Sequence, residues 1–225
     1  MERPFALRLA VFDCDGTLVD SQHTIAAAVS AAFASVGLTP PGPEQSRRVI
    51  GLPLADALAA LAPADSGIDP ARLTERYREA FFSLRNRSDF EEPLFPGIEA
   101  ALTTLEAAGY LLGIATGKSR RGLERTLERH ALLGRFMTLQ TSDGGPGKPH
   151  PFMLERAIAE AGVEAAACVM IGDTTFDVLM ARAAGAKAVG VGWGYHPAAE
   201  LAAAGADRIV AAAAELPAAI LTLLP

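Results

Sequence analysis

An apolar run, Leu9 to Phe12, breaks off at Asp13-Cys14-Asp15-Gly16-Thr17: two carboxylates spaced i and i+2, then a glycine and a hydroxyl. Such a run reads as a buried strand of a parallel sheet, and ligands of parallel sheets sit outside the carboxyl ends of the strands. Two acids at that edge repel each other and lose hydration. They need compensation, most simply a divalent cation with oxygen ligands. Taken alone, Asp-x-Asp-Gly also makes an ordinary turn after a strand. Partners further along the chain decide between the two.

The stretch that follows is helical. Ser21 is placed to cap a helix whose apolar positions Ile25, Val29, Ala32, Phe33 and Val36 share one face and which stops at Gly37. Thr39-Pro40-Pro41-Gly42-Pro43 makes a turn. Leu54, Leu58 and Leu61 form one stripe, and Asp69-Pro70 opens a further helix with Leu73, Tyr77, Phe81 and Leu84 on its face. A helical block of this length, placed directly after the first strand, is too large for an ordinary crossover and predicts a cap. After Phe95-Pro96-Gly97 the pattern alternates, with strands expected at Leu111–Ala115, Phe136–Leu139, Cys168–Ile171, Ala188–Val191 and Arg208–Val210. The predicted fold is therefore α/β: a Rossmann-like, mainly parallel sheet with helices on both faces and an inserted α-helical cap. The expected boundaries are 1–20 and 93–225 for the core and 21–92 for the cap.

With 225 residues, half of them hydrophobic, the chain can bury a sizeable core. A net charge of −6 argues against nucleic acid and anionic membrane as partners. No apolar stretch is long enough for a membrane span, and Arg8 and Asp13 interrupt any signal-peptide core, so a cytoplasmic location is expected. Cys14 follows the first strand and Cys168 begins a later one, which puts them at opposite ends of the sheet and argues against a disulfide. His23, His130, His150 and His196 lack metal-ligand spacing and read as surface or loop residues. Trp193 and Tyr195 read as packing in a loop.

Three later segments could complete the first loop. Thr116-Gly117-Lys118-Ser119 puts a hydroxyl and a glycine between a strand and a helix, which suits phosphate oxygens but also an ordinary turn. In Gly145-Pro146-Gly147-Lys148-Pro149-His150-Pro151, the prolines stiffen a loop that presents Lys148, either to solvent or to acids and phosphate. Gly172-Asp173-Thr174-Thr175-Phe176-Asp177 repeats the strand-then-acid arrangement, with Asp177 in the first turn of the next helix, where a helix dipole alone would favour it.

In that order, these segments resemble the four motifs of the haloacid dehalogenase-like hydrolase superfamily, and together they cover nearly the whole chain. Within it the chain looks most like the phosphoglycolate phosphatase group, judged by Asp13 to Ser21, by Arg47-Arg48-Val49-Ile50-Gly51-Leu52-Pro53-Leu54 and by Gly192-Trp193-Gly194-Tyr195-His196. The resemblance implies that Asp13 is a nucleophile forming an aspartyl-phosphate and that Asp15 is the general acid and base. It implies Mg²⁺ held by Asp13, the Asp15 carbonyl and Asp173. It also implies phosphate held by Lys148, Thr116, Gly117 and the Cys14 N–H, with Asp177 orienting Lys148 or metal-bound water. Arg47 and Arg48 are expected to offer one guanidinium to the far end of the substrate.

The expected function is a Mg²⁺-dependent phosphatase of small phosphorylated metabolites, phosphoglycolate first, acting as a monomer or homodimer. A phosphosugar mutase of the β-phosphoglucomutase type, a pyrophosphatase or nucleotide phosphatase, and a non-catalytic phosphometabolite-binding protein are the alternatives. Asp15 itself speaks against a halide-removing enzyme, because members of that type lack the second aspartate.

Overall fold

The computed structural model describes residues 7–225. The chain runs β1 (Arg8–Phe12), four helices α1 (Gln22–Ser35), α2 (Pro43–Arg48), α3 (Leu54–Leu61) and α4 (Pro70–Arg85), then α5 (Ile98–Ala107), β2 (Tyr110–Thr116), α6 (Arg120–Arg129) and β3 (Thr138–Thr141). It continues through α7 (Phe152–Ala161), β4 (Cys168–Gly172), α8 (Thr175–Ala183), β5 (Lys187–Val191), α9 (Ala198–Ala203), β6 (Arg208–Val210) and α10 (Leu216–Leu223). The six strands form one sheet in the order β3-β2-β1-β4-β5-β6, and every neighbouring pair is parallel.

β1 alternates across the sheet as a strand buried on both faces must. Ala10 and Phe12 join a cluster with Leu102, Ile114 and Ile171. Leu9 and Val11 face the other side with Leu154, Met170 and Val178. Truncating a residue as enclosed as Leu102 to alanine costs about 2–5 kcal/mol through lost burial and the cavity left behind. Phe12 lies level with Ile114 on β2 and Ile171 on β4, so Asp13, Thr116 and Asp173 leave the sheet at one edge. The connections step to β2 and β3 on one side of β1 and to β4, β5 and β6 on the other, which makes this edge the switch point where open α/β sheets bind ligands. Leu9 is paired with Cys168, so Cys14 and Cys168 do lie at opposite ends, and both are free.

Helices α1 to α4 carry a cluster of their own, built on Val29, Ala32, Phe33, Leu58 and Leu73. The chain enters and leaves this block side by side: Val19 bridges Leu94, and the Asp20 N–H donates to the Pro93 carbonyl. Asp69 caps α4 by accepting from the Ala71 N–H at 2.9 Å.

Two local expectations need correction. The third strand occupies Thr138–Thr141 rather than Phe136–Leu139. Phe136 packs against Phe12 ahead of the strand. The polar Thr138 and Gln140 are buried because both donate to Glu160 at this sheet edge, and hydrophobic patterning does not register burial satisfied in that way. Ser21 precedes α1 but makes no capping hydrogen bond. Its hydroxyl goes to a carboxylate instead, as described next. Among the described residues, no helix is long and apolar enough to cross a membrane.

Candidate active site

Asp13 is the first residue past β1 and is almost wholly buried. Its Oδ1 accepts from the Cys14 N–H at 2.6 Å and stands 2.8 Å from the Lys148 ammonium. Its Oδ2 is buried without a hydrogen-bond partner. Burial, partly offset by Lys148, pushes the Asp13 carboxyl up to about 6. The Cys14 N–H, expected to meet phosphate, is thus committed to Asp13, and burial holds the Cys14 thiol in its protonated form.

Lys148 is buried between two acids, 2.8 Å from Asp13 Oδ1 and 2.6 Å from Asp177 Oδ1. Burial alone would lower its pKa; the charges of Asp13 and Asp177 outweigh that and hold it above the ordinary lysine value. The other oxygen of Asp177 closes the start of α8, accepting from Thr174 N at 3.0 Å and Thr174 Oγ1 at 2.7 Å. One carboxylate therefore caps a helix and fixes the lysine.

Asp173 follows β4. It accepts from Thr17 Oγ1 and from the Tyr195 N–H, both at 2.9 Å. Burial, reinforced by the charges of Asp177 and Asp13, raises its carboxyl well above the usual range. The packing around it is tight: a Cβ on Gly16, which has φ +85°, would lie 2.2 Å from Asp173 Oδ2, so only glycine fits there. Ligand atoms of Asp13, Asp173 and Asp177 lie within 4.8 Å of one another.

Asp15 points to a separate set of groups. Its Oδ1 accepts from Lys118 Nζ and from Ser21 Oγ, each at 2.5 Å. Lys118 also reaches Glu92 Oε1 at 3.2 Å. Glu92 in turn accepts from Thr126 Oγ1 at 2.9 Å and faces Arg85 at 3.7 Å. Burial works against the Lys118 charge, but Asp15 and Glu92 raise its pKa well above the ordinary value. Tyr195 closes the group from the other side, its hydroxyl 3.3 Å from Ser21 Oγ.

A cavity of about 360 Å³ opens onto Asp13, Asp15, Thr116, Gly117 and Lys118 and extends between the sheet edge and helices α1 to α4. The insertion is seated directly over it: a Cβ on Gly117 would lie 2.8 Å from the Leu52 carbonyl oxygen.

Sequence reasoning placed Asp13, Asp15, Thr116, Gly117, Lys148, Asp173 and Asp177 at this edge, and the structure brings them together. It does not do so for Arg47 and Arg48. Neither lines the cavity; Arg48 pairs with Glu200 on α9 at 2.8 Å and Arg47 faces Glu44 on its own helix at 3.8 Å. Arg78, Arg85, Arg121 and Arg125 line the cavity instead. His196 is buried rather than a surface residue: its Nδ1 accepts from the Thr175 N–H at 3.1 Å and its Nε2 lies 3.2 Å from the Arg48 carbonyl. Trp193 packs in its loop as expected and donates to the Thr17 carbonyl. Lys118, Glu92, Ser21 and Thr17 were missed. Lys118 stood inside a motif already singled out, and Glu92 had no local signal.

Residues 10–191 match the sequence profile of the haloacid dehalogenase-like hydrolases. The chain is 35% identical over 205 residues to a Dickeya dadantii protein named probable phosphatase IndB, covering 90% of this chain and 88% of that one. It is 33% identical to the phosphoglycolate phosphatase of Chromobacterium violaceum, covering 93% and 95% of the two chains. The solved structure of a haloacid dehalogenase-like family hydrolase of Streptococcus pneumoniae superposes with a TM-score of 0.82 at 27% identity, covering 95% of this chain and 98% of that one.

Proposed function

Because the chain belongs to the haloacid dehalogenase-like hydrolase family, we propose that it is a Mg²⁺-dependent phosphatase of small phosphate monoesters that works through an aspartyl-phosphate on Asp13. The observation that carries this reading is Asp13 Oδ2, a buried carboxylate oxygen with no partner, on a residue that lines the cavity. Residues 21–92 are read as a cap over a core of 1–20 and 93–225, supported by the cap's separate apolar cluster.

The donor set fits the metal. Of three clustered buried carboxylates, Asp13 and Asp177 share one buried lysine and Asp173 meets only neutral donors, an arrangement with more acid than the protein's own cations offset. Asp13, Asp173 and the Asp15 carbonyl would hold Mg²⁺, which would draw negative charge from the phosphate oxygens. Asp13 Oδ2 attacks phosphorus and the ester P–O bond breaks, with Asp15 giving its proton to the departing alcohol. Asp15 then takes a proton from water, whose oxygen attacks phosphorus, releasing inorganic phosphate and restoring Asp13. Lys148, Thr116 and the Gly117 backbone hold the transferring oxygens as charge shifts among them.

A phosphate-release screen over phosphoglycolate, sugar phosphates, nucleotides and pyrophosphate tests this, with and without Mg²⁺. Release that needs both Mg²⁺ and Asp13 is expected, and phosphoglycolate is the first ester to test because relatives carry that name. A mutase would return an isomeric sugar phosphate in place of free phosphate. No release from any ester with metal present overturns the reading.

A further inference from the structure

The cavity is larger than a two-carbon phosphate ester needs, and its walls are of the wrong kind for a polyhydroxylated one. Beyond the polar floor, the cap side is made by Ile50, Leu52, Leu54, Leu58, Tyr77 and Phe81, with Ser46 the only small hydroxyl among the cap residues that line it. Tyr77 and Phe81 stack at 5.8 Å between ring centroids and 22° between planes, one turn apart on α4. A sugar in such a space would leave hydroxyls without partners, which costs binding, whereas a hydrocarbon would not. Of the cationic lining groups, Arg78 and Arg121 are exposed and stand at the rim, Arg125 is half-buried, and the buried Arg85 is already engaged by Glu92, Thr126 and the Gly122 carbonyl.

We propose that the alcohol half of the substrate carries an apolar body, an aromatic ring or a branched chain, seated against Ile50, Leu54, Leu58, Tyr77 and Phe81 while its phosphate meets Asp13. This rests on the phosphatase reading above and deepens it. Phosphoglycolate, which has no apolar body, would then be a poor substrate that uses only the floor of the site.

The test separates binding from turnover. Ethyl-, butyl- and 2-phenylethylphosphonate, which cannot be hydrolysed at the P–C bond, are titrated calorimetrically into the full-length wild-type protein with Mg²⁺. In parallel, kcat/KM is measured for phosphoglycolate and for ethyl, butyl and 2-phenylethyl phosphate, unactivated primary esters with similar leaving groups. Affinity and kcat/KM should each rise about fourfold per buried methylene and by at least about thirtyfold from ethyl to 2-phenylethyl. Leu54→Ser should flatten the series. Equal affinities along the phosphonates, or a kcat/KM for phosphoglycolate above that for 2-phenylethyl phosphate, overturn the proposal. If no ester is hydrolysed and the phosphonates still tighten with size, the phosphatase reading fails and the apolar subsite stands.

Discussion

The two carboxylates of the first loop are neighbours but one, yet each has its own buried lysine, set in differently built surroundings. Lys148 stands between Asp13 and Asp177, both on the sheet-bearing part of the molecule. Lys118 stands between Asp15 and Glu92, and Glu92 lies where the chain returns from the helical insertion, facing Arg85 at the end of α4. Asp13, the proposed nucleophile, is thus fixed by the core alone. Asp15, the proposed general acid and base, is held by a chain of charges that reaches into the insertion, so a shift of the insertion reaches Asp15 before it reaches Asp13.

The sharpest break in this comparison is at Asp13, the proposed nucleophile. Asp13→Asn should lower Mg²⁺-dependent phosphate release about 10⁴-fold or more, measured on protein whose circular dichroism matches wild type. The two lysines come next and should behave differently. Lys148→Met removes a cation from phosphate and from two buried acids, so kcat/KM should fall about 10²–10³-fold on every ester. The same change should lower Tm by about 6–20 °C, as expected when a buried pair loses one partner. Lys118→Met should cost about tenfold in kcat/KM on alkyl phosphates and almost nothing on para-nitrophenyl phosphate, whose leaving group needs no proton. Equal losses on the two ester types would erase the division of labour between the lysines.

Protonation gives a smaller and separable effect. The Asp13 carboxyl rises from 3.8 to about 6 on folding, so its contribution to metal-free stability is full below 3.8 and lost as pH rises through about 6. Mg²⁺ acts in the opposite sense, because it binds the ionised form. At a hundred times its dissociation constant, Mg²⁺ should raise Tm by about 5–10 °C at pH 7.5. The shift should shrink below pH about 6, and differential scanning fluorimetry across pH reads both trends. A Tm shift that persists unchanged at pH 5 would place the metal away from Asp13.

Much of this arrangement is written locally in the sequence, and the part that is not has a common physical cause. The strand-then-acid pattern at Asp13 and at Asp173, and the Pro-flanked loop of Lys148, announce themselves because each motif is contiguous and breaks an apolar run. Glu92 does not: it is a buried acid in a stretch that reads as polar linker, and only the fold brings it to Lys118 and Thr126, on the far side of β2 in sequence. Ser21 was misplaced for a related reason. A hydroxyl before a helix is ordinarily a cap, but a charge-assisted bond to Asp15 is stronger than one to a backbone N–H. The arginines show the same limit from the other direction. Adjacency in sequence pointed to Arg47 and Arg48, whereas the cavity takes its cations from α4 and α6, separated by the whole return to the core.

The smallest expected effect lies at that last pair. Arg48 and Glu200 meet at 2.8 Å, but their side chains are 42% and 40% exposed, and an exposed pair is worth about 0–1 kcal/mol. The joint between the insertion and the core does not depend on it, because His196 Nε2 reaches the Arg48 backbone carbonyl, which any residue supplies. Burial lowers the pKa of that imidazole, and with Nδ1 accepting from the Thr175 N–H, Nε2 is the nitrogen left to donate. Arg48→Ala should therefore leave KM for every ester within about twofold and move Tm by about 4 °C or less. His196→Ala, which removes the buried link itself, should move Tm further. A tenfold rise in KM for Arg48→Ala would return its guanidinium to the substrate, against its pairing with Glu200 on α9.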